Sequence, residues 1–217
     1  MCGRGRRGLT FSEVAKLYRA EFDGPMPGDE RALEVRPTEA LVVVRGGDGK
    51  RKVGTMRWGL VPPWAPDLKF GSKTFNARSE TASEKPAFRS AWKKQRCLVI
   101  FDGFYEWSGV PRKPNLVRLP NDAPMAMAGL WETWHEPLTG EVVESCTVLT
   151  REAKGPMATI HDRMPIILDE SVHDTWLDPA TKDIAGVLDR CAVDELEIVP
   201  LERIGPPPKP PRQGSLF

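Results

Sequence analysis

The sequence has no apolar run approaching the roughly 20 residues needed to span a bilayer. Its basic start, Met1-Cys2-Gly3-Arg4-Gly5-Arg6-Arg7, is not followed by the apolar stretch of a secretory signal. A cytoplasmic protein is therefore expected. Cysteine is sparse: Cys2, Cys97, Cys146 and Cys191 lie far apart, with no CxxC pair. That spacing argues against a structural zinc site, and a reducing compartment argues against a disulfide framework. Neither a metal nor a cofactor is expected. Cys97, Cys146 and Cys191 lie beside or within apolar runs and read as buried fillers. A charge excess is also missing, since 31 Lys and Arg against 30 Asp and Glu leave a net charge of +1. Bulk charge thus announces no polyanionic partner, and any nucleic-acid surface has to be a local patch. No internal repeat is present.

What is present suits one domain, with or without appendages. The chain has 217 residues, 40% of them hydrophobic and 28% charged, enough to bury a real core. Thr10 and Glu13 have the form of a capping box, and Phe11, Val14, Ala15 and Tyr18 follow helical spacing, which predicts a first helix to about Glu21. Asp23 to Asp29, with its Pro and Gly pairs, reads as a loop. β-rich runs follow at Leu41–Arg45, Val53–Trp58, Cys97–Phe101, Met125–Leu130, Ser145–Leu149, Ile166–Leu168 and Leu196–Val199. Gly46-Gly47-Asp48-Gly49 reads as a hairpin-like turn. Helical signals lie at Ala87–Lys94, Ser171–Leu177 and Ile184–Asp189. Short strands without regular βαβ alternation predict an α+β fold with bent, mostly antiparallel sheets and peripheral helices. The Pro-rich segment from Gly205 reads as a disordered spacer, so the folded domain is expected to cover 1–204 and the tail 205–217.

Several residues can carry chemistry. Methionine before a residue as small as Cys is normally removed, which would leave Cys2 with a free α-amine and a thiol on adjacent carbons. Such an aminothiol reacts with aldehydes: the amine, with a pKa near about 7.7–8.0, forms a Schiff base, and the thiol closes onto the imine carbon. The same pair can instead act as an N-terminal nucleophile in amide hydrolysis, or Cys2 can be incidental. Asn76, in Thr74-Phe75-Asn76-Ala77-Arg78-Ser79-Glu80-Thr81, is a helix N-cap or a site amide, and Arg78 suits a phosphate or an ordinary carboxylate. Glu106, between aromatics in Asp102-Gly103-Phe104-Tyr105-Glu106-Trp107 at the end of the Cys97–Phe101 strand, is placed for desolvation. Desolvation raises a carboxyl pKa and suits it to general acid work; pairing with an arginine is the alternative. Of three histidines, His161 alone lies in a dense polar cluster, His161-Asp162-Arg163, and is an acid/base candidate. His135 and His173 lack such company and read as surface residues. Trp58 and Trp64 flank a proline-fixed turn; each is core or, if exposed, a stacking platform for unpaired bases.

Met1-Cys2-Gly3-Arg4, Trp58-Gly59-Leu60-Val61-Pro62-Pro63-Trp64, Phe75 to Thr81, Asp102 to Trp107, Ala128-Gly129-Leu130-Trp131-Glu132 and His161-Asp162-Arg163-Met164-Pro165 together resemble, in order and spacing, the SOS-response-associated peptidase (SRAP) family. The resemblance covers all but the tail. It implies a barrel-like sheet core, Cys2 as the covalent residue, and Asn76, Glu106 and His161 completing the site. It further implies a role shielding abasic sites in single-stranded DNA, in a nucleoid-associated bacterial protein, expected to be a monomer. Protonated Glu106 would open the sugar ring, His161 would shuttle protons, and Asn76 would hold the amine or a sugar hydroxyl. Arg4, Arg78 and Arg163 would neutralise flanking phosphates. A peptidase using Cys2 is the competing activity the family name suggests.

The chain departs from the family twice. Gly5 stands where an aromatic usually follows Cys-Gly-Arg, which removes a packing contact near the nucleophile. Glu34-Val35-Arg36-Pro37-Thr38 replaces an Asn-x-Ala-Pro-Thr segment, with Arg36 adding a cation beside the expected DNA groove. Separately, Gln213-Gly214-Ser215-Leu216-Phe217 resembles the Gln-x-x-Leu-Phe peptide with which bacterial repair proteins dock on the sliding clamp. Gln213, Leu216 and Phe217 would make that contact, with the proline-rich spacer supplying reach.

Overall fold

The computed structural model describes residues 3–25, 28, 31–47, 49–190 and 192–204. Cys2, Cys191 and the whole tail, with its clamp-like peptide, lie outside the described residues. In chain order the elements are β1 (Gly5–Arg7), α1 (Phe11–Leu17), β2 (Ala20–Phe22), β3 (Ala32–Val35), β4 (Ala40–Gly47), β5 (Lys50–Trp58), β6 (Asn76–Arg78), α2 (Ser79–Ala82), α3 (Arg89–Lys94), β7 (Arg96–Phe101), β8 (Gly103–Ser108), β9 (Lys113–Arg118), β10 (Met125–His135), β11 (Val142–Glu152), β12 (Arg163–Pro165), α4 (His173–Leu177), α5 (Ile184–Arg190) and β13 (Glu197–Pro200).

Two sheets hold the molecule. The larger runs β12-β11-β10-β7-β4-β5-β2 with antiparallel neighbours, except that β2 joins β5 in parallel. It closes into a five-stranded barrel because β5 returns to β11 in parallel, Arg57 opposite Ser145 and Trp58 opposite Cys146. β6 continues that parallel run on β11. The smaller, antiparallel sheet has the order β13-β9-β8-β1-β3. The α+β expectation therefore holds, with the barrel closed through parallel contacts.

Side chains alternate across the barrel wall, as strand geometry requires. Val42, Val44, Leu98, Ile100, Ala126 and Ala128 form one cluster with Phe11 and Val14 of α1 and Trp176 and Leu188 from the later helices. Val43, Val99, Met127 and Val148 form the other, which Phe104, Val117 and Val35 of the smaller sheet join. One face of the wall thus meets the helices, and the other meets the smaller sheet.

The local signals explain these elements. Thr10 Oγ1 accepts the Glu13 N–H at 3.2 Å while the Glu13 carboxylate accepts the Thr10 N–H at 2.7 Å, completing the capping box. The helix stops at Leu17, short of the expected Glu21, because Arg19 takes a left-handed φ of 51° and the chain turns into β2. β4 and β5 pair down to Gly47 opposite Lys50, the hairpin expected at 46–49. Cys97 and Cys146 are wholly buried and free, and burial pushes both thiols up in pKa.

His173 corrects an expectation. It is 4% exposed, its Nε2 lies 3.2 Å from the Leu168 carbonyl, and its ring rests on Tyr18. Burial holds its pKa below the usual histidine value. His135 is exposed, as expected.

Candidate functional site

The loop that delivers Asn76 leaves the barrel at Gly59 and returns at Phe75. Its neck is closed by two glycines. Gly59 has a φ of +128°, and a Cβ there would lie 2.2 Å from the Gly71 carbonyl oxygen. Ser145 Oγ accepts the Val61 N–H at 2.8 Å, and Trp134 Nε1 donates to the Ala65 carbonyl at 2.8 Å, anchoring the loop to the wall. The return is held by Trp58, whose Nε1 donates to the Phe75 carbonyl at 2.8 Å and whose ring meets Phe75 edge-on. Asn76 then pairs with Val148 on β11. Directly paired residues project to the same face, so Asn76 stands on the face that meets the smaller sheet. It is not a helix cap, because α2 begins three residues later after Arg78.

Glu106 comes from the opposite side. It lies inside β8, not at a strand end, and is 4% exposed. Phe104, two residues before it, is buried in the shared cluster. Period-two alternation therefore turns Glu106 toward the barrel. His161 follows a single 3-10 turn, Gly155–Thr159, and its N–H donates to the Met157 carbonyl at 3.0 Å. Met157, Ile160 and Met164 around it belong to the same cluster. The elements carrying Asn76, Glu106 and His161 thus all border the cluster shared by the barrel and the smaller sheet, the seam between them.

The N-terminal strand enters this seam. Gly5 pairs with Phe104 and Arg6 with Gly103, and the Tyr105 N–H donates to the Arg4 carbonyl at 2.9 Å. Ion pairs pin β1 on the same side: Arg6 Nε lies 3.1 Å from Asp102, just before β8, and Arg6 Nη2 lies 3.0 Å from Asp122, which also holds Arg118 at 2.8 Å. β3 pairs with the other flank, Val35 opposite Gly5.

His161 Nδ1 stands 2.9 Å from the Arg163 N–H and 2.7 Å from the Asp162 carboxylate. The first contact needs a lone pair on Nδ1 and the second needs a proton there, so the two belong to different tautomers of the ring.

The arginines divide. Arg163 is bidentate to Glu80 at 2.7 and 2.8 Å and also donates to the Thr150 carbonyl at 2.7 Å, holding the Glu80 carboxyl below its usual pKa. Glu80 stood in the quoted motif without a role; it is the counter-ion that fixes Arg163. Arg4 lies 3.2 Å from Glu34 and its guanidinium sits 4.9 Å from the Trp107 ring centre. Glu34 also takes Arg36 at 2.9 Å, so the residue replacing the family's Asn is a counter-ion for both. Arg78 is exposed and forms no ion pair among the described residues.

The tryptophans divide as well. Trp58 is 0% exposed and corrects the DNA-stacking expectation, because its ring has no face left for a base. Trp64 is 57% exposed and rests edge-on against Phe70 at 5.1 Å.

One contributor was not foreseen. A Cβ on Gly5 would lie 2.1 Å from Cε1 of Phe101. The aromatic expected after Cys-Gly-Arg is missing there, and a ring from β7 fills the space beside it. Among the described residues no group of His, Cys, Asp and Glu has the spacing of a metal site, and no helix is long and apolar enough to cross a membrane.

A closed barrel covered by a second sheet, with the chain's own first strand threaded beside a buried carboxylate, defines a class in which the N-terminal segment borders the site. The chain belongs to the SOS response associated peptidase (SRAP) family, which it matches over residues 1–204. It is 33% identical over 215 residues to the abasic site processing protein YoqW of Bacillus subtilis, with 96% of each chain covered. It is 39% identical over 154 residues to the abasic site processing protein HMCES of Xenopus tropicalis, covering 59% of this chain and 46% of that one. A solved protein from Bordetella bronchiseptica superposes with a TM-score of 0.77 at 28% identity, covering 93% of this chain and all of that one. One from Bacteroides thetaiotaomicron, at 24% identity and a TM-score of 0.82 over 93% of each chain, shares the fold.

Proposed function

We propose that the protein processes abasic sites in single-stranded DNA by forming a covalent link through Cys2, exposed as the N-terminal residue once Met1 is removed. The observation that carries this reading is the register of β1 on β8, Gly5 opposite Phe104 and the Arg4 carbonyl bonded to Tyr105, which runs the start of the chain along the strand that bears Glu106. Cys2 lies two residues before Arg4. The relatives, abasic site processing proteins, supply the substrate class.

The chemistry balances without an oxidant. An abasic deoxyribose is mostly a closed hemiacetal; a proton from Glu106 to the ring oxygen exposes the C1′ aldehyde. The Cys2 amine adds to that carbon and the carbinolamine loses water to give an imine. The thiol then adds across the C=N bond, its proton going to nitrogen, which yields a five-membered thiazolidine isomeric with the imine. His161 carries protons between these steps, and Asn76 holds the amine or a sugar hydroxyl. Arg78 meets a flanking phosphate directly, and Arg4, Arg36 and Arg163 do so once a phosphate shares or displaces their carboxylates. Trp64 offers a face for an unpaired base. The product shields the lesion.

Mixing the protein with an oligonucleotide that carries one abasic site should give a heat-stable shifted band on a denaturing gel. The band should be absent with undamaged DNA and with Cys2→Ala. An equal band with Cys2→Ala would remove Cys2 from the mechanism.

The tail adds a location. Gln213, Leu216 and Phe217 would tether the domain to the sliding clamp, where single-stranded abasic DNA arises. A tail peptide should bind purified clamp at micromolar concentration, and a Leu216→Ala/Phe217→Ala peptide should not. No binding by the natural peptide would end this proposal.

A further inference from the structure

Most arginines near the two sheets are spoken for. Arg4, Arg36, Arg45, Arg51, Arg118 and Arg163 each face a carboxylate. The segment leaving the site through α2 and α3 is different. Lys85, Arg89, Lys93 and Lys94 are all exposed, and none forms an ion pair or side-chain hydrogen bond among the described residues. Between Ala82 and Arg96 the only acidic residue is Glu84.

Their alignment follows from packing. α3 buries Ala91 and lays Phe88 and Trp92 against the core, which turns the opposite face to solvent. The Arg89 N–H donates to the Lys85 carbonyl at 2.9 Å, so Lys85 closes the turn that leads into α3, and Arg89 and Lys93 stand at i, i+4 within the helix. Neighbours at that spacing lie about 5–6 Å apart. Arg89, Ser90, Lys93 and Lys94 line a shallow depression of about 480 Å³. The row is continuous in the chain with the site, because Arg78 at the end of β6 leads directly into α2.

Like charges at one-turn spacing, Arg89 and Lys93, repel one another and cost stability unless something anionic covers them. The shape that fits is a linear polyanion. These cations, unpaired among the described residues, with the exposed Arg78 seven residues before Lys85 in the chain, favour a nucleic-acid strand over an acidic protein surface as the occupant. We propose that Lys85, Arg89, Lys93 and Lys94 form a track for the sugar-phosphate backbone on one side of the lesion, extending the footprint beyond Arg78. This rests on the reading of the seam as an abasic-DNA site. Neutralising phosphates releases counterions, so the track contributes affinity that is independent of sequence and falls with salt.

The test uses Arg89→Ala/Lys93→Ala/Lys94→Ala, all exposed positions outside the reacting groups. Capture would be measured for single-stranded oligonucleotides whose abasic site has about two nucleotides on one side and about ten on the other, in both orientations. In one orientation the variant should need about 10-fold more DNA for half-maximal capture at low salt, and its log-affinity against log-salt slope should fall by about two. In the other it should match the wild type, as should the limiting rate at saturating DNA in both. Equal affinity and slope for variant and wild type in both orientations would overturn the track, and equal losses in both would overturn its one-sidedness. Failure of the wild type to capture any of these DNAs would instead overturn the reading of the site on which the track rests.

Discussion

Glu106→Gln is expected to slow capture of an abasic oligonucleotide by about 100-fold or more, with thermal stability close to that of the wild type. Gln keeps the shape and most of the hydrogen-bonding capacity of the side chain but carries no acidic proton. The buried carboxyl stands on β8, the strand that pairs with β1, and faces the barrel. If ring opening needs an internal acid, deletion of that acid leaves water to do the work. The amide nearly matches the carboxyl in volume and leaves no cavity, so a fall in rate would report chemistry and not packing. The comparison is a single-turnover rate at saturating DNA. A rate within about twofold of wild type would remove Glu106 from the general-acid role, since such groups typically contribute far more than that.

Gly5→Phe should be nearly as damaging, for a different reason. The new Cβ would sit 2.1 Å from Cε1 and 2.5 Å from Cζ of Phe101, well inside contact distance. Overpacking of this kind costs about 1–3 kcal/mol or more, and here it pushes on the strand that brings the N-terminus to the seam. A loss of several degrees in Tm, at about 2–4 °C per kcal/mol for a chain of this size, should accompany loss of capture. The informative variant is the double one, Gly5→Phe with Phe101→Ala. The ring then arrives from β1 instead of β7, filling the same volume, so stability and capture should return toward wild type. Contacting residues couple in this way, and the cycle reads the coupling directly. If the double variant is no better than the product of its two single effects, the rings are not interchangeable and the steric account of Gly5 is wrong.

The legible parts of the fold were those written locally. Thr10 and Glu13 announce a helix start within four residues, and the Gly-rich turn between β4 and β5 announces a hairpin, so both were readable from sequence. Barrel closure was not, because Trp58 meets Cys146 across a long stretch of intervening chain and by parallel pairing, which leaves no short-range trace. β8 went unread because Phe104-Tyr105-Glu106-Trp107 shows no polar alternation: both faces of the strand are covered. The two tryptophans of one motif show the same limit. Trp58 lies where the barrel closes and is sealed, whereas Trp64 lies on the excursion beyond it and is open. His173 read as a surface residue because it lies outside any polar cluster like that around His161, yet α4 turns it under Tyr18.

The candidate site was legible through residue types and their order more than through geometry. Asn76, Glu106 and His161 stand on elements that border one buried cluster, but what aims each one was hidden. Val148, opposite Asn76, is a tertiary neighbour, and the direction in which Phe104 and Met157 turn nearby Glu106 and His161 depends on the cluster they pack into. The counter-ions were equally hidden. Arg163 reads as a phosphate ligand in sequence, and only the fold shows that Glu80 already holds it.

Intact-mass analysis of the protein after reaction with an abasic oligonucleotide tests the central claim most directly. The account predicts a product equal to the chain without Met1, plus the DNA, minus one water, that fragments to place the adduct on Cys2. A protein that has lost Met1 and yet gives only the two free masses would contradict it, and would return the amide-hydrolysing use of Cys2 to first place.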